Sequence, residues 1–286
     1  MTAVDPQSRG APGARRKRPG DGLRRAFLAD VAAARLPAGP GDERVVTDAD
    51  LAHLDEPVQR YLRFMGVVDR PRTWSFQVRF SGRFRMRPGG AWMPARAWQY
   101  NTALELGRVF TMRLRVGHLV PMIGHDTYVR GHGRMLGKVL GLITVADGSG
   151  EEFDSGELAT YLNDAVLLAP SMLLGPQTTW TGVDDSTFTV ALRDTGREVS
   201  AQVSLDPRGA PVDFVTSDRW AALPGGPVRA PWRTPVSRWD RIDDLPFPGP
   251  ASATWDLADG PFPYIDGAFE RGSLVRNLAP LHAGTR

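Results

Sequence analysis

The sequence contains no cysteine. That excludes disulfides, thiolate nucleophiles, thiolate zinc sites, iron–sulfur ligation and a lipid-modified cysteine. Lysine is almost missing: only Lys17 and Lys138 occur, so arginine supplies the other 33 of the 35 basic residues. A skew this general follows genome base composition more than function. No run of 18 consecutive apolar residues is present, which excludes a transmembrane helix. A P-loop, a Gly-x-Ser-x-Gly elbow and a His-Glu-x-x-His pair are also lacking. Gly131-x-Gly133-x-x-x-Gly137 has the wrong spacing for a dinucleotide fingerprint, and strand follows it, not helix. No cofactor is expected.

What is there is ordinary globular material: 286 residues, 42% hydrophobic and 23% charged, enough for one large domain or two small ones. The net charge of +3 is unevenly placed. Arg9, Arg15, Arg16, Lys17, Arg18, Arg24 and Arg25 face only Asp5 and Asp21 in the first 25 residues, an excess of +5, so the rest of the chain carries −2. The composition predicts a disordered basic tail and linker over residues 1–45, dispensable for folding, with a weak membrane-surface contact as its functional option. Arg24-Arg25-Ala26-Phe27-Leu28 has the pattern of a twin-arginine signal, but Asp30 and Arg35 interrupt the apolar segment such a signal needs. Ala26–Leu36 reads as a short surface helix, and the expected compartment is the cytoplasm.

Residues 46–276 are expected to form a single domain, followed by a tail over 277–286. Thr47 and Asp50 have capping-box spacing. Leu51, Leu54, Val58, Tyr61, Leu62 and Met65 repeat at helical spacing. Pro57 opens a second helical segment capped by Asp55 or Glu56, and Gly66 stops it. The period then switches to 2. Trp74, Phe76, Val78, Phe80, Gly82, Phe84 and Met86 share one face, while Arg79, Arg83, Arg85 and Arg87 share the other. This predicts a long strand with one buried and one wet face. Further strands are expected over about 92–104, 108–118, 124–130 and 133–146. The last is apolar on both faces around 139–145, which predicts cover on both sides. Asp154 is expected to cap a helix over 155–169, with Glu157 completing a capping box and Leu158, Tyr161, Leu162 and Val166 forming the buried stripe. Short alternating strands then run to the C-terminus, at about 177–183, 187–194, 197–206, 211–220, 228–240, 250–258 and 262–275. The order predicts an α+β fold: one large curved, mostly antiparallel sheet, an unclosed β-barrel packed on one or two helices.

Four segments resemble a bacterial family of unknown function: Leu54-x-x-Pro57-Val58-x-Arg60-Tyr61-Leu62, Phe80-x-Gly82-x-Phe84-x-Met86, Gly124-x-Asp126-x-Tyr128-x-x-Gly131-x-Gly133-x-Met135, and Gly156-Glu157-Leu158-x-x-Tyr161-Leu162-Asn163. Asp164 stands where that family has Glu. The resemblance spans about residues 54–275 and brings no catalytic residues with it. The order of elements is similar to that of the LolA-like and LppX-like lipoprotein carriers. This implies an unclosed barrel whose concave face, covered by helices, holds acyl chains.

Among candidate sites, His118, His125 and His132 recur every seven residues, an odd spacing that turns neighbours to opposite strand faces; no metal site is expected. Asp126 and Tyr128 share a face, as an acid–base pair or as a satisfied structural pair. The arginine row, with Arg113 and Arg115 nearby, is either a solvated face paired with acids or an anion site. Its aromatics lie on the opposite face, which argues against nucleic acid. Three readings stay open. The first is a non-enzymatic binding or carrier domain for a hydrophobic or amphiphilic small molecule, with Trp74, Phe76, Phe80, Phe110, Met112, Tyr128 and Leu162 as its ligand-binding residues. The second is an enzyme using Asp126 and Tyr128, with His125 or His132. The third is a structural protein with a filled core.

Overall fold

The computed structural model describes residues 21–117, 120–140, 142–223 and 225–281. Three helices open it: α1 (Asp21–Ala34), α2 (Asp48–Leu51) and α3 (Glu56–Phe64). Six strands follow: β1 (Ser75–Phe84), β2 (Met93–Thr102), β3 (Gly107–Val116), β4 (Val120–Val129), β5 (His132–Val139) and β6 (Ile143–Ser149). Helix α4 (Glu151–Leu168) leads to a 3-10 turn at Pro170–Leu173. The second half holds β7 (Thr178–Asp184), β8 (Thr187–Asp194), β9 (Arg197–Leu205), β10 (Pro211–Thr216), β11 (Trp220–Leu223), β12 (Gly226–Arg229) and β13 (Trp232–Arg233). It ends with β14 (Trp239–Ile242), β15 (Leu245–Pro248), β16 (Ala251–Leu257), β17 (Gly260–Phe269) and β18 (Val275–Arg276).

The main sheet runs β6-β5-β4-β3-β2-β1-β17-β16-β13-β10-β9-β8-β7, and β18 adds to β1. Its pairings are antiparallel. Short turns join β1 to β6 as a meander. The chain then leaves one sheet edge at β6, crosses as α4, and enters the opposite edge at β7. The edges β6 and β7 do not pair with each other, so the sheet curls without closing. This is the curved α+β half-barrel expected from the order of elements.

Helix α4 is buried along its whole length from Gly156 to Leu168. It touches β3–β6 on one side and β9, β10, β11 and β15 on the other, so the sheet wraps it and no polar face reaches solvent. Leu158, Tyr161, Leu162 and Val166 are all fully buried. The helix starts earlier than its sequence suggests, at Glu151, with Gly150 before it. Asp154 is not its cap, because both oxygens are taken elsewhere. One accepts the Gly133 backbone N–H at 2.7 Å and the other the Arg197 guanidinium at 3.1 Å.

The N-terminal helices follow their local signals. The Thr47 backbone N–H donates to Asp50 at 2.8 Å, Asp55 precedes α3, and Pro57 lies in its first turn.

Three expectations are corrected. The stretch 21–45 is not a disordered tail: α1 lies on the outer face of β2 and β3, with Phe27 and Val31 fully buried beside Tyr100 and Val109. Phe27 meets the Trp98 ring at 5.5 Å. Asp30, a charge inside an apolar run, accepts hydrogen bonds from Thr111 at 2.5 Å and shares a 2.6 Å contact with His125 Nδ1. Residues 1–20 lie outside the described residues. Likewise 277–281 are not a free tail. Asn277 accepts from the Trp74 backbone N–H, and the Leu278 carbonyl accepts from Ser75 and Tyr100. This cover buries Ser75 and Gln77, so the wet face of β1 starts only at Arg79. Finally, the doubly apolar strand does not exist as one strand. β5 stops at Val139 and β6 starts at Ile143, and Leu140, Leu142, Ile143 and Val145 stand exposed at the turn.

Truncation of Phe27 to alanine is expected to cost about 3–5 kcal/mol, as buried aromatic truncations do, and Leu162→Ala about 2–5 kcal/mol. Denaturant midpoints test both. A neutral Phe27→Ala would mean that α1 is detached in solution.

Candidate functional site

A cavity of about 460 Å³ opens between the inner face of the sheet and α4. Period-2 alternation decides which side chains enter it. β3 sends in Phe110, Met112 and Leu114, and β4 sends in Met122, Gly124 and Asp126. β1 contributes Phe80 and Phe84, while Trp232, Trp255 and Phe262 form the opposing wall. Phe80 reaches it by lying over Gly82 and Gly267, which face each other across β1 and β17. A Cβ on Gly82 would come within 2.7 Å of the Phe80 ring. The room that Gly82 leaves is thus used by Phe80 itself.

Of the seven residues expected to bind a ligand, Phe80, Phe110 and Met112 line the cavity. The other four stand elsewhere. Trp74 lies under Gly39 and Gly41, and its indole N–H donates to Glu43 at 2.8 Å. Phe76 and Leu162 are packed in the main core. Tyr128 is also in that core, and its hydroxyl donates to Asp194 at 2.7 Å. Burial and Asp194 hold the phenol well above its ordinary range. Asp126 faces the cavity without Tyr128, so the two do not form an acid–base pair. His125 is engaged with Asp30 on the outer face, and His132 is exposed, 3.7 Å from Asp154. His118 lies outside the described residues. Among the described residues no group of three His, Asp or Glu side chains converges as a metal site would.

The arginine row divides. Arg79 pairs with Glu270 at 2.9 Å and Arg83 with Asp266 at 2.6 Å. Arg83 and Arg85 both stack on Trp92 at 4.6 Å. Asp266 on β17 and Glu270 just after it therefore interleave with the β1 arginines.

The most unusual chemistry of the cavity is a buried charge cluster. Arg108 reaches from β3 to α4, where it binds Glu157 at 2.8 Å and Asp164 at 2.7 Å. All three side chains are less than a tenth exposed. Glu157 and Asp164 are seven residues apart, two helical turns, and so share a face. Asp126 enters from β4, within the fields of Arg108 and Arg219. Arg219 lies over the Trp232 ring at 4.2 Å, and its Nε has no hydrogen-bond partner. Three carboxylates thus share two guanidinium groups. Burial pushes the Glu157 carboxyl up to about 7, with Asp126 adding to the push and Arg108 opposing it. Burial also raises Asp126 and Asp164 against the pull of Arg108. Arg108 itself is held charged, since Asp164 and Glu157 outweigh the cost of its burial. The spacing of Asp154 and Glu157 predicts a helix cap, and no local pattern marks Arg108 or Arg219 as site residues. The available signal was a helix with acids two turns apart inside a motif dense in apolar residues.

The architecture defines an antiparallel half-barrel with a helix-covered cavity. The chain belongs to DUF6544, a family of unknown function whose model matches residues 44–267. No match is found among curated proteins. Solved structures similar to this chain include two from bacteria. One is a Vibrio parahaemolyticus domain described as an outer membrane lipoprotein-sorting protein, at 8% identity, covering 71% of this chain and 85% of that one, with a TM-score of 0.36. The other is a β-barrel-like protein of the DUF1849 domain from Brucella abortus, at 10% identity, covering 72% of this chain and 98% of that one, with a TM-score of 0.25. The strand order of this chain, not these likenesses, defines its fold.

The buried carboxyls carry a pH dependence. Glu157 is raised from its ordinary 4.5 to about 7. Between these values the folded protein binds a proton that the unfolded chain does not, so stability falls as pH rises through that window. Glu157→Gln is expected to flatten the slope, read as the change in denaturant midpoint across it. An unchanged slope would place the titrating proton elsewhere.

Proposed function

We propose that this chain is a binding or carrier domain for a hydrophobic or amphiphilic small molecule. The observation that carries this reading is the cavity. Its volume of about 460 Å³ falls in the usual range for ligand sites, about 300–1,000 Å³. Its walls are aromatic, methionine and aliphatic side chains from β1, β3, β4 and the β16–β17 side. Its largest group of charged side chains gathers around Arg108, Asp126, Glu157, Asp164 and Arg219, with Arg85 and Glu152 also on the lining. A ligand with an apolar chain and a small polar head matches that division. The head would meet Asp126 and the unpartnered Nε of Arg219, because Arg108 is already engaged by two carboxylates. The chain would lie along Phe110, Met112 and Met122.

Gly124 supplies the cleanest test. It lines the cavity, and a Cβ placed there meets nothing within 4 Å. Gly124→Phe therefore fills the space without displacing backbone. The purified protein is expected to bind a fluorescent fatty acid at one site. Gly124→Phe is expected to weaken that binding at least about tenfold, a loss of roughly 1.4 kcal/mol, while the melting temperature holds. Equal binding by both proteins would show that the probe occupies another place. No binding by the wild type would leave a filled structural core as the better reading.

A further inference from the structure

The turn between β5 and β6 has a feature that the cavity does not use. Leu142 is 84% exposed and Ile143 61%, and Leu140 and Val145 beside them are also exposed. Val116 and Val120, paired across β3 and β4, are exposed at the same end of the sheet. Six large aliphatic side chains thus form one uncovered tip, far more than scattered surface residues. Cross-strand pairing connects the tip to the cavity wall. Leu114 and Met122 line the cavity, Met122 pairs with Val139, and Val139 pairs with Ile143.

The outer face behind this tip is basic. Arg96, Arg113, Ile123, Lys138 and Thr144 are successive cross-strand partners from β2 to β6. In the next row toward the tip, Arg115 pairs with Pro121. Neither row from β2 to β6 contains an acid. Arg113 feels its partial burial and then the like charges of Arg115 and Arg96. Asp147, on β6, is engaged by both arms of Arg134. On β1, by contrast, Asp266 and Glu270 balance Arg83 and Arg79. The tip end of β2–β5 joins exposed aliphatics to a one-signed patch.

We propose that this tip docks on an anionic lipid bilayer, with Leu140, Leu142, Ile143 and Val145 entering the interface and Arg96, Arg115 and Lys138 facing the headgroups. Apolar insertion and basic contact each contribute separately to interfacial binding. Among the described residues no helix is long and apolar enough to cross a membrane, so the contact is peripheral. The proposal stands apart from whatever fills the cavity.

The test is cosedimentation of the full chain with vesicles of equal phosphatidylglycerol and phosphatidylcholine, against pure phosphatidylcholine. The wild type is expected to bind the anionic vesicles and to release as salt screens the charge. Leu142→Asp combined with Ile143→Asp is expected to reduce binding at least about tenfold. Arg96→Glu with Arg115→Glu is expected to reduce it by a similar factor. All four positions are exposed, so an unchanged melting temperature controls for folding. Gly124→Phe should bind vesicles like the wild type, which separates this result from the fate of the cavity. Absence of binding to anionic vesicles, or equal binding to neutral ones, would overturn the proposal. So would full binding by the Leu142/Ile143 variant, which keeps the basic N-terminal segment and would assign the attachment there.

Discussion

The Arg108 guanidinium, bound to Glu157 and Asp164, fastens α4 to the inside of the sheet. Among the described residues no other ion pair lies so deep. An ion pair in this setting gains little over apolar packing, because desolvation offsets the attraction, but losing one partner leaves a bare buried charge at about 3–5 kcal/mol. The arrangement therefore specifies position more than it adds stability. It holds the helix at a set depth within the curl, where Asp126 and Arg219 complete the cluster. The helix occupies the concave side of the sheet, whose edge strands β6 and β7 do not pair, and the cavity lies between that helix and the sheet.

The two faces of the strands then take different roles. Inward, β3 presents Phe110, Met112 and Leu114 to the cavity. Outward, the same strand gives Thr111 to the Asp30 carboxylate of α1, and beyond it Arg113 and Arg115. The outer face is itself divided. Near the start of β1, the segments around Asn277 and α1 cover it. At the other end it is open, basic and tipped with aliphatics. A single sheet thus carries a core, a cavity wall, a docking face for α1 and an exposed end, distinguished by position along each strand.

Buried carboxyls make this interior sensitive to pH. Three acids and two arginines cannot all be charged at low cost, and burial raises Asp126, Glu157 and Asp164 together, Glu157 to about 7. A polar ligand head entering beside Asp126 and Arg219 would change that balance.

The local sequence determined a great deal. Period-2 alternation in residues 74–86 and 108–116 identified strands and their inward faces, because a strand alternates its side chains whatever it packs on. Thr47, Asp50, Asp55 and Pro57 marked helix starts, because capping is satisfied within a few residues. The antiparallel half-barrel followed from the order of elements, and Phe80, Phe110 and Met112 followed from strand phase. Only the tertiary structure decided the rest. Trp74, Phe76, Tyr128 and Leu162 share the apolar character of cavity residues, but neighbours distant in sequence fill the space beside them. The composition of residues 21–45 suggested a tail, yet Phe27 and Val31 found a hydrophobic surface on β2 and β3. Asp154 and Glu157 have the pattern of a cap, yet Gly133, Arg197 and Arg108 claim their carboxylates. The apolar run around Leu140 suggested burial from both sides, yet it turns at the sheet's free end, exposed among the described residues. Where a partner decides, it lies far away along the chain, and local spacing holds no record of it.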